Sequence, residues 1–380
     1  MKSPFKFGSI VEGEFFTNRV KAISRLTLNF ESNINTILLS PRRWGKSSLV
    51  KVALKKTLRK NKNIRACYID LFQIRDENEF YSKFATEIVK ATSTKLEEWL
   101  KTVSKFLSHL KPNISFGIEP QTDFKISIDI SEKNKTFSEI LELPEIIAKQ
   151  KNLKLIICVD EFQNLSNFKE PLLFQKRLRS AWQHHQNVVY CLFGSKRHML
   201  MNIFENKSMP FYKFGDIFYL SKIEKSHLIS YVRLKFTKTN KIIDEKYAET
   251  IVDLMQEHPY YVQQLSHIVW SISDKIVTKE IIEESINDLL EQNSLLFENE
   301  IEALSNTQVN FLKAVVEGIN NSFSSQQILK KYKLGASSNV IKIKRTLVRK
   351  EIIDMKQGKP IILDPAFELW LKRIYFRLNK

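Results

Sequence analysis

Residues Thr36–Leu54 read TILLSPRRWGKSSLVKVAL, and the fold turns on this stretch. A short apolar run stops at Ser40, a turn containing Pro, Arg, Trp and Gly follows, and from Lys46 apolar residues recur at helical spacing. A strand that feeds a tight turn and then a helix aims successive backbone N–H groups at one point, where the helix dipole also favours negative charge. Gly45-Lys46-Ser47 supplies the rest: the lysine suits terminal phosphate oxygens, and the hydroxyl suits magnesium. Relative to the G-x-x-x-x-G-K-[ST] pattern, the first glycine is replaced by Ser40. The two glycine positions carry different burdens. Gly45 lies where backbone meets phosphate most closely, whereas the first position only begins the turn, so Ser40-Pro41 is expected to serve.

Working outward, three further apolar runs read as strands: Arg65–Phe72 (RACYIDLF), Leu153–Asp160 (LKLIICVD) and Val188–Ser195 (VVYCLFGS). Uninterrupted apolar strands have both faces covered, which is the mark of a parallel sheet under helices. Helical stretches separate them at 46–59, 77–110, 137–150 and 170–184, so the expectation is an α/β core over 1–220 with right-handed crossovers. One segment, Ile114–Ser131 (ISFGIEPQTDFKISIDIS), alternates apolar and polar residues around a turn and is expected to be a hairpin insertion. After Leu220 apolar spacings of three and four behind Ser, Asp and Thr caps predict an all-helical domain, 221–300. From Ile301, three helices and a strand pair around Gln357-Gly358 have the order of a winged helix-turn-helix, 301–380.

The second run ends in Asp160-Glu161. Beside a phosphate loop, Asp160 is expected to hold magnesium through water, with the Ser47 hydroxyl on the metal, and Glu161 to act as general base on the attacking water. A helix cap after a buried strand would explain an Asp there, but not the pair. The third run ends in Gly194-Ser195; a hydroxyl at that strand end is placed to sense the terminal phosphate, with Lys196 and Arg197 either solvated or on the γ-phosphate.

Charge locates a second candidate surface. The chain has 60 Lys and Arg against 42 Asp and Glu, a net +18, which favours polyanionic partners. Between Asn321 and Lys380 there are 14 basic and 4 acidic residues, a net +10, so over half of the excess lies in one-sixth of the chain. Lys342, Lys344, Arg345 and Arg349 on the last helix, and Lys356 and Lys359 on the wing, are the candidate DNA contacts, with Ile341, Ile343, Leu347 and Val348 as that helix's buried face. A protein-binding role for the same module stands beside the DNA reading. The block Arg42–Arg65 holds ten basic residues and no acid, part facing nucleotide and part solvated. Cys67, Cys158 and Cys191 each sit in apolar runs without metal-ligand spacing, as reduced core residues of a cytoplasmic protein would. No run approaches the roughly 20 apolar residues needed to span a bilayer, so no membrane association is expected.

The order of FFTNR (Phe15–Arg19), SPRRWGKSSLV, VDEFQNL, FGS and HPYYVQQL resembles the archaeal-type ATPases of the STAND branch of the AAA+ superfamily. The resemblance implies a P-loop NTPase core with a parallel sheet, followed by a helical lid domain and a winged helix-turn-helix domain. It implies ATP and Mg²⁺ as ligands, with Phe16, Asn18 and Arg19 on the adenine side and Pro41, Arg42, Arg43, Trp44, Gly45, Lys46, Ser47 and Ser48 on the phosphates. His258 and Pro259 match a lid motif that closes over nucleotide, although Glu257 stands where a glycine is usual, and on pattern alone the stretch reads equally as a helix-breaking proline in a loop. Arg177 and Arg179 are the best-placed candidates for an arginine finger in a homo-oligomer, with solvated charges on a helix surface as the equal alternative. The expected function is an ATPase whose nucleotide state, ATP or ADP, is coupled to a winged domain that binds DNA or a protein partner. The alternative is a DNA-binding regulator in which nucleotide is structural and turnover negligible.

Overall fold

The computed structural model describes residues 2–378 apart from 12, 14–15, 17, 94–97, 99–100, 103, 106–112, 117–123 and 128–134. The chain divides into two compact units: Arg19–Arg42 with Lys46–Ser221, and Met1–Asn18 with Arg43–Gly45 and Lys222–Lys380.

The first unit alternates helices and strands in this order: α1 (Val20–Glu31), β1 (Thr36–Leu39), α2 (Lys46–Lys60), β2 (Ile64–Asp70), α3 (Glu77–Thr92), β3 (Asn113–Phe116), β4 (Phe124–Ser127), α4 (Lys135–Gln150), β5 (Lys154–Asp160), α5 (Pro171–Trp182), β6 (Val188–Gly194), α6 (Arg197–Glu205) and β7 (Asp216–Tyr219). Five strands form one sheet in the order β2-β5-β6-β1-β7, with every pairing parallel. The C-terminal ends of β1, β5 and β6 therefore lie on one edge, with Leu39 opposite Gly194. The chain leaves β1 for β2 at the far side and returns through β5 and β6. That reversal of strand order opens the crevice in which α/β sheets bind ligands. All seven residues of β6 are buried, as are the last six of β5, which is why their sequences lack polar alternation.

β7 was not among the expected strands. Its four residues DIFY carry no long apolar run, and the sheet selects them: Gly215 fits beneath Asn35, whose carbonyl oxygen would lie 2.2 Å from any Cβ there. Arg25 of α1 then fixes the strand start through Asp216, Nε to Oδ2 at 2.9 Å. The helix expected over 77–110 ends as α3 at Thr92. β3 and β4 pair antiparallel, and the Ile126 N–H donates to Thr86 Oγ1 at 2.9 Å, which docks the pair on α3. The turn between them, including the Pro-Gln-Thr-Asp of the expected hairpin, lies outside the described residues. Trp182 stacks on Tyr190 with ring centroids 4.2 Å apart, at the heart of an aromatic cluster under the sheet. The three cysteines are buried and unpaired.

The second unit contains α7 (Lys225–Thr237), α8 (Glu245–Leu254), α9 (Pro259–Ile272), α10 (Lys279–Glu302), α11 (Asn306–Val316), α12 (Gln326–Lys331), α13 (Ser337–Arg349), β8 (Ile353–Lys356), β9 (Lys359–Ile362) and α14 (Pro365–Trp370). Ser305 and Gln308 close a reciprocal capping box at the start of α11, and Gln357 and Gly358 at φ 51° and 79° make the tight turn between β8 and β9. The expected boundary near residue 300 falls inside α10, one continuous helix. α14, not foreseen, starts at Asp364, whose Oδ1 accepts from the N–H groups of Ala366 and Phe367 at 3.0 Å each. Among the described residues no helix is long and apolar enough to cross a membrane.

Candidate nucleotide site

The loop after β1 makes a conformational demand for glycine at position 45 and none at position 40. Gly45 has φ +81° with open space where a Cβ would project. Ser40 has no positive φ, so a glycine there would bring no needed conformational freedom. Ser40 is buried and its Oγ donates to the Pro41 carbonyl at 3.1 Å. Lys46, also buried, donates from Nζ to the same carbonyl at 3.1 Å, so its stem lies along the loop. Ser48 is buried beside it at the start of α2.

Three strand ends then converge. Ser47 Oγ donates to Asp160 Oδ2 at 2.9 Å, joining the α2 N-terminus to the end of β5. The Tyr68 hydroxyl of β2 donates to that same oxygen, and the Glu161 N–H donates to Oδ1 at 2.8 Å. Burial pushes the Asp160 carboxyl above its ordinary value, and these three donors oppose the rise; the Tyr68 hydroxyl is pushed up by burial and by Asp160. Glu161 occupies the left-handed region at φ 52°, an uncommon place for a side chain this long. Its Oε2 accepts from Ser195 Oγ at 2.9 Å, from Ser195 N at 3.4 Å, and from Gln163 Nε2. Asp160, Glu161, Ser47 and Ser195 thus form one connected cluster. Tyr68 and Gln163 were missed from sequence: Tyr68 is exposed as a candidate only once β2 is known to lie beside β5, while Gln163 stands in the quoted VDEFQNL.

The tip of the loop belongs to the second unit. Arg43, at φ +59°, donates from Nη1 to the Tyr261 hydroxyl at 2.9 Å and lies 4.8 Å over the Tyr260 ring. Its guanidinium is 3.8 Å from Asp364 Oδ2, which also accepts from Tyr261. Burial raises the Asp364 carboxyl, opposed by those donors. Trp44 meets the His258 ring edge-on at 6.3 Å, and His258 is buried immediately before Pro259, the first residue of α9. Arg42 is exposed.

The other expected residues divide. Arg19 is buried at the start of α1, donates to the Ser221 carbonyl, and is lowered to about 10 by burial. Phe16 is half-buried and Asn18 exposed; Phe15 backbone and side chain, with Thr17, lie outside the described residues. Arg177 is paired to Glu77 at 2.8 Å and lies 4.9 Å over Phe137, while Arg179 covers Phe214 at 4.9 Å. Both candidate finger arginines are thus held against their own core. In the winged region Lys342, Arg345, Arg349, Lys356 and Lys359 are exposed. Lys344 is half-buried with Nζ 4.8 Å over the Phe323 ring, and burial lowers its ammonium. Ile341, expected in the buried face, is 62% exposed because Val340, Ile343 and Leu347 already fill the inward stripe of α13.

Comparison with known proteins agrees with this architecture. Residues 295–373 match the family model described as a probable winged helix domain, which begins inside α10. The chain is similar to the Walker-type ATPase PABY2304 of Pyrococcus abyssi, at 19% identity and a TM-score of 0.70 over 97% of this chain and 99% of that one. It has the fold of a P-loop ATPase with a C-terminal winged helix. The ORC2 protein of Aeropyrum pernix, solved in ADPNP-ADP complexes, is similar at 13% identity and a TM-score of 0.53, covering 95% of this chain and 94% of that one. No curated protein matches the chain by sequence.

The cluster suits a magnesium-bound triphosphate. Ser47 and Asp160 offer hard oxygen donors side by side, as magnesium requires when phosphates complete its shell. The open space at Gly45 leaves the loop backbone accessible to an anion.

Proposed function

We propose that the protein binds ATP with Mg²⁺ at this loop and hydrolyses it, coupling nucleotide state to the basic winged domain. The observation that carries the reading is the hydrogen-bonded chain of Ser47 to Asp160 at 2.9 Å and Ser195 to Glu161 at 2.9 Å, built on three adjacent parallel strand ends. Bound magnesium would supply charge neutralisation on the phosphates, held by Ser47 and Asp160. Lys46 exchanges the neutral Pro41 carbonyl for phosphate oxygens, and the N–H groups of Pro41–Ser48, proline excepted, face the same charge. Glu161 orients the attacking water and accepts its proton, and Ser195 links that carboxylate to the terminal phosphate. Arg19, Phe16 and Asn18 contribute to the adenine side, and His258-Pro259 to the lid of residues 221–300, on the strength of motif order; the STAND placement rests on that order too.

DNA is the proposed partner of the winged domain, residues 301–380, because five exposed basic side chains lie on α13 and the wing, where winged domains meet groove and phosphates. Arg43, packed on Tyr260 and Tyr261 beside Asp364, links the loop tip to α9 and to the residue that caps α14.

The test is phosphate release by the intact protein with and without duplex DNA, alongside Lys46→Ala and Glu161→Gln. Turnover by the wild type above both variants supports the enzyme reading. Equal rates under every condition would leave a nucleotide-binding regulator.

A further inference from the structure

We propose that Gln163 is a positioning residue for Glu161, and that Gly194 is a glycine in order to house its amide. The inference rests on the ATPase reading and assigns a role to a side chain outside the groups that meet nucleotide.

Gln163 is fully buried, two residues beyond Glu161 in the 3-10 turn Phe162–Asn167. Its Nε2 donates to Glu161 Oε2, while its Oε1 is buried with no hydrogen-bond partner among the described residues. Reversing the amide would set its oxygen against a carboxylate, so Glu161 dictates the orientation. A buried acceptor left unpaired is costly, and what offsets it is a hydrogen bond to a charged group. That bond is one of three on the same oxygen, the others coming from the hydroxyl and N–H of Ser195. Among the described residues no hydrogen bond reaches Glu161 Oε1. The carboxylate is therefore pinned by one oxygen and presents the other.

Gly194 shows what the arrangement demands. Its φ lies outside the left-handed region, so its backbone does not need glycine; a Cβ there would sit 1.9 Å from Gln163 Oε1 and 3.2 Å from Glu161 Cα. A side chain at this strand end would drive the amide off the carboxylate. Glu161 itself holds a left-handed conformation, and its Oε2 lies in hydrogen-bond contact with Gln163 and Ser195. A general base displaced by an ångström loses about a hundredfold in rate, so a pin on one oxygen serves turnover without touching substrate.

The experiment measures kcat, KM and ATP affinity for the intact protein carrying Gln163→Ala, Gln163→Met, Gly194→Ala, and the Gln163→Ala/Gly194→Ala pair. Gln163→Met keeps the volume and removes the donor, so it decides the matter if the alanine variant does not fold. The expected result is a kcat lower by about 10–100-fold with ATP affinity unchanged within twofold. Gly194→Ala is expected to match this loss, and the pair to lose less than the two single losses combined, since the amide that the new methyl would strike is gone while its 3.2 Å approach to Glu161 Cα remains. In a Glu161→Gln background, Gln163→Met should cause no further loss. A Gln163→Met protein with wild-type kcat, or a loss seen only in ATP affinity, overturns the proposal, as does a Gly194→Ala loss that adds in full to that of Gln163→Ala. Wild-type turnover above Glu161→Gln together with those results rejects the positioning role alone. Wild-type turnover equal to Glu161→Gln rejects the ATPase reading and this proposal with it.

Discussion

Replacing Tyr68 by Phe removes one hydroxyl and probes Asp160, the carboxylate proposed to hold magnesium, without touching it. Asp160 Oδ2 accepts from both Ser47 Oγ at 2.9 Å and the Tyr68 hydroxyl. When Ser47 turns its oxygen toward a cation, Tyr68 becomes the remaining side-chain donor on that oxygen. A hydrogen bond to a charged group contributes about 1.5–3 kcal/mol, and loss of a group that orients a metal-binding carboxylate weakens metal binding by about 10–100-fold. Asp160 is already held above its ordinary value by burial, so losing a donor raises it further and makes the ionised form scarcer. The assay is binding of a fluorescent ATP analogue at pH 7, titrated with MgCl₂, with thermal melts of the nucleotide-free protein. Tyr68→Phe is expected to need 10–100-fold more magnesium for half-maximal binding and to melt lower. A magnesium requirement within twofold of wild type would refute the assignment of Asp160, held by Tyr68, as the metal-binding carboxylate.

Three further outcomes follow from the same geometry. The Asp216 carboxyl lies below its ordinary value, first because Arg25 donates to it and then because Asn29 does; its contribution is present above the ordinary value and lost as pH falls through the depressed one. Arg25→Ala should therefore cost about 0.5–1 kcal/mol at pH 7, where the pair is half-exposed, and flatten the loss of melting temperature below about pH 4. In duplex-DNA binding by anisotropy, Arg345→Ala and Arg349→Ala should each lower the log–log salt slope by about one. Lys344→Ala, whose stem lies on Phe323, should instead lower the melting temperature with little change in slope; unchanged slopes in both arginine variants would end the groove reading. Gly215→Ala places a methyl against the Asn35 carbonyl and is expected to destabilise the protein by about 1–3 kcal/mol in urea unfolding, whereas a neutral result would mean that the start of β7 can shift.

Much of the first unit is legible in sequence because central parallel strands are buried on both faces: TILL, KLIICVD and VVYCLFG announce themselves as apolar runs. DIFY escapes because it is short, and what makes it a strand, a glycine under Asn35 and an aspartate on Arg25, is contributed by distant residues. Ser40 was readable as a substitute for glycine, and the reason appears only in the backbone, where the positive φ belongs to Gly45 and Arg43. The hydrogen bond of Ser47 to Asp160 depends on the strand order β5-β6-β1, which an Asp-Glu pair at a strand end does not by itself fix. Tyr68 and Gln163 could not be ranked from sequence, since a tyrosine in a strand and a glutamine in a turn are ordinary until neighbouring strands fix what they touch. Ile341 fails the amphipathic reading for a similar reason: three inward residues already complete the stripe, so the fourth apolar position faces out.

The most direct test of the central claim is the identity of the nucleotide that the protein retains after incubation with ATP and Mg²⁺, rapid gel filtration and acid release. Wild type should retain ADP, Glu161→Gln should retain ATP, and Lys46→Ala should retain neither. ATP in equal amounts on wild type and Glu161→Gln would contradict hydrolysis at Glu161, and full retention by Lys46→Ala would contradict binding at this loop.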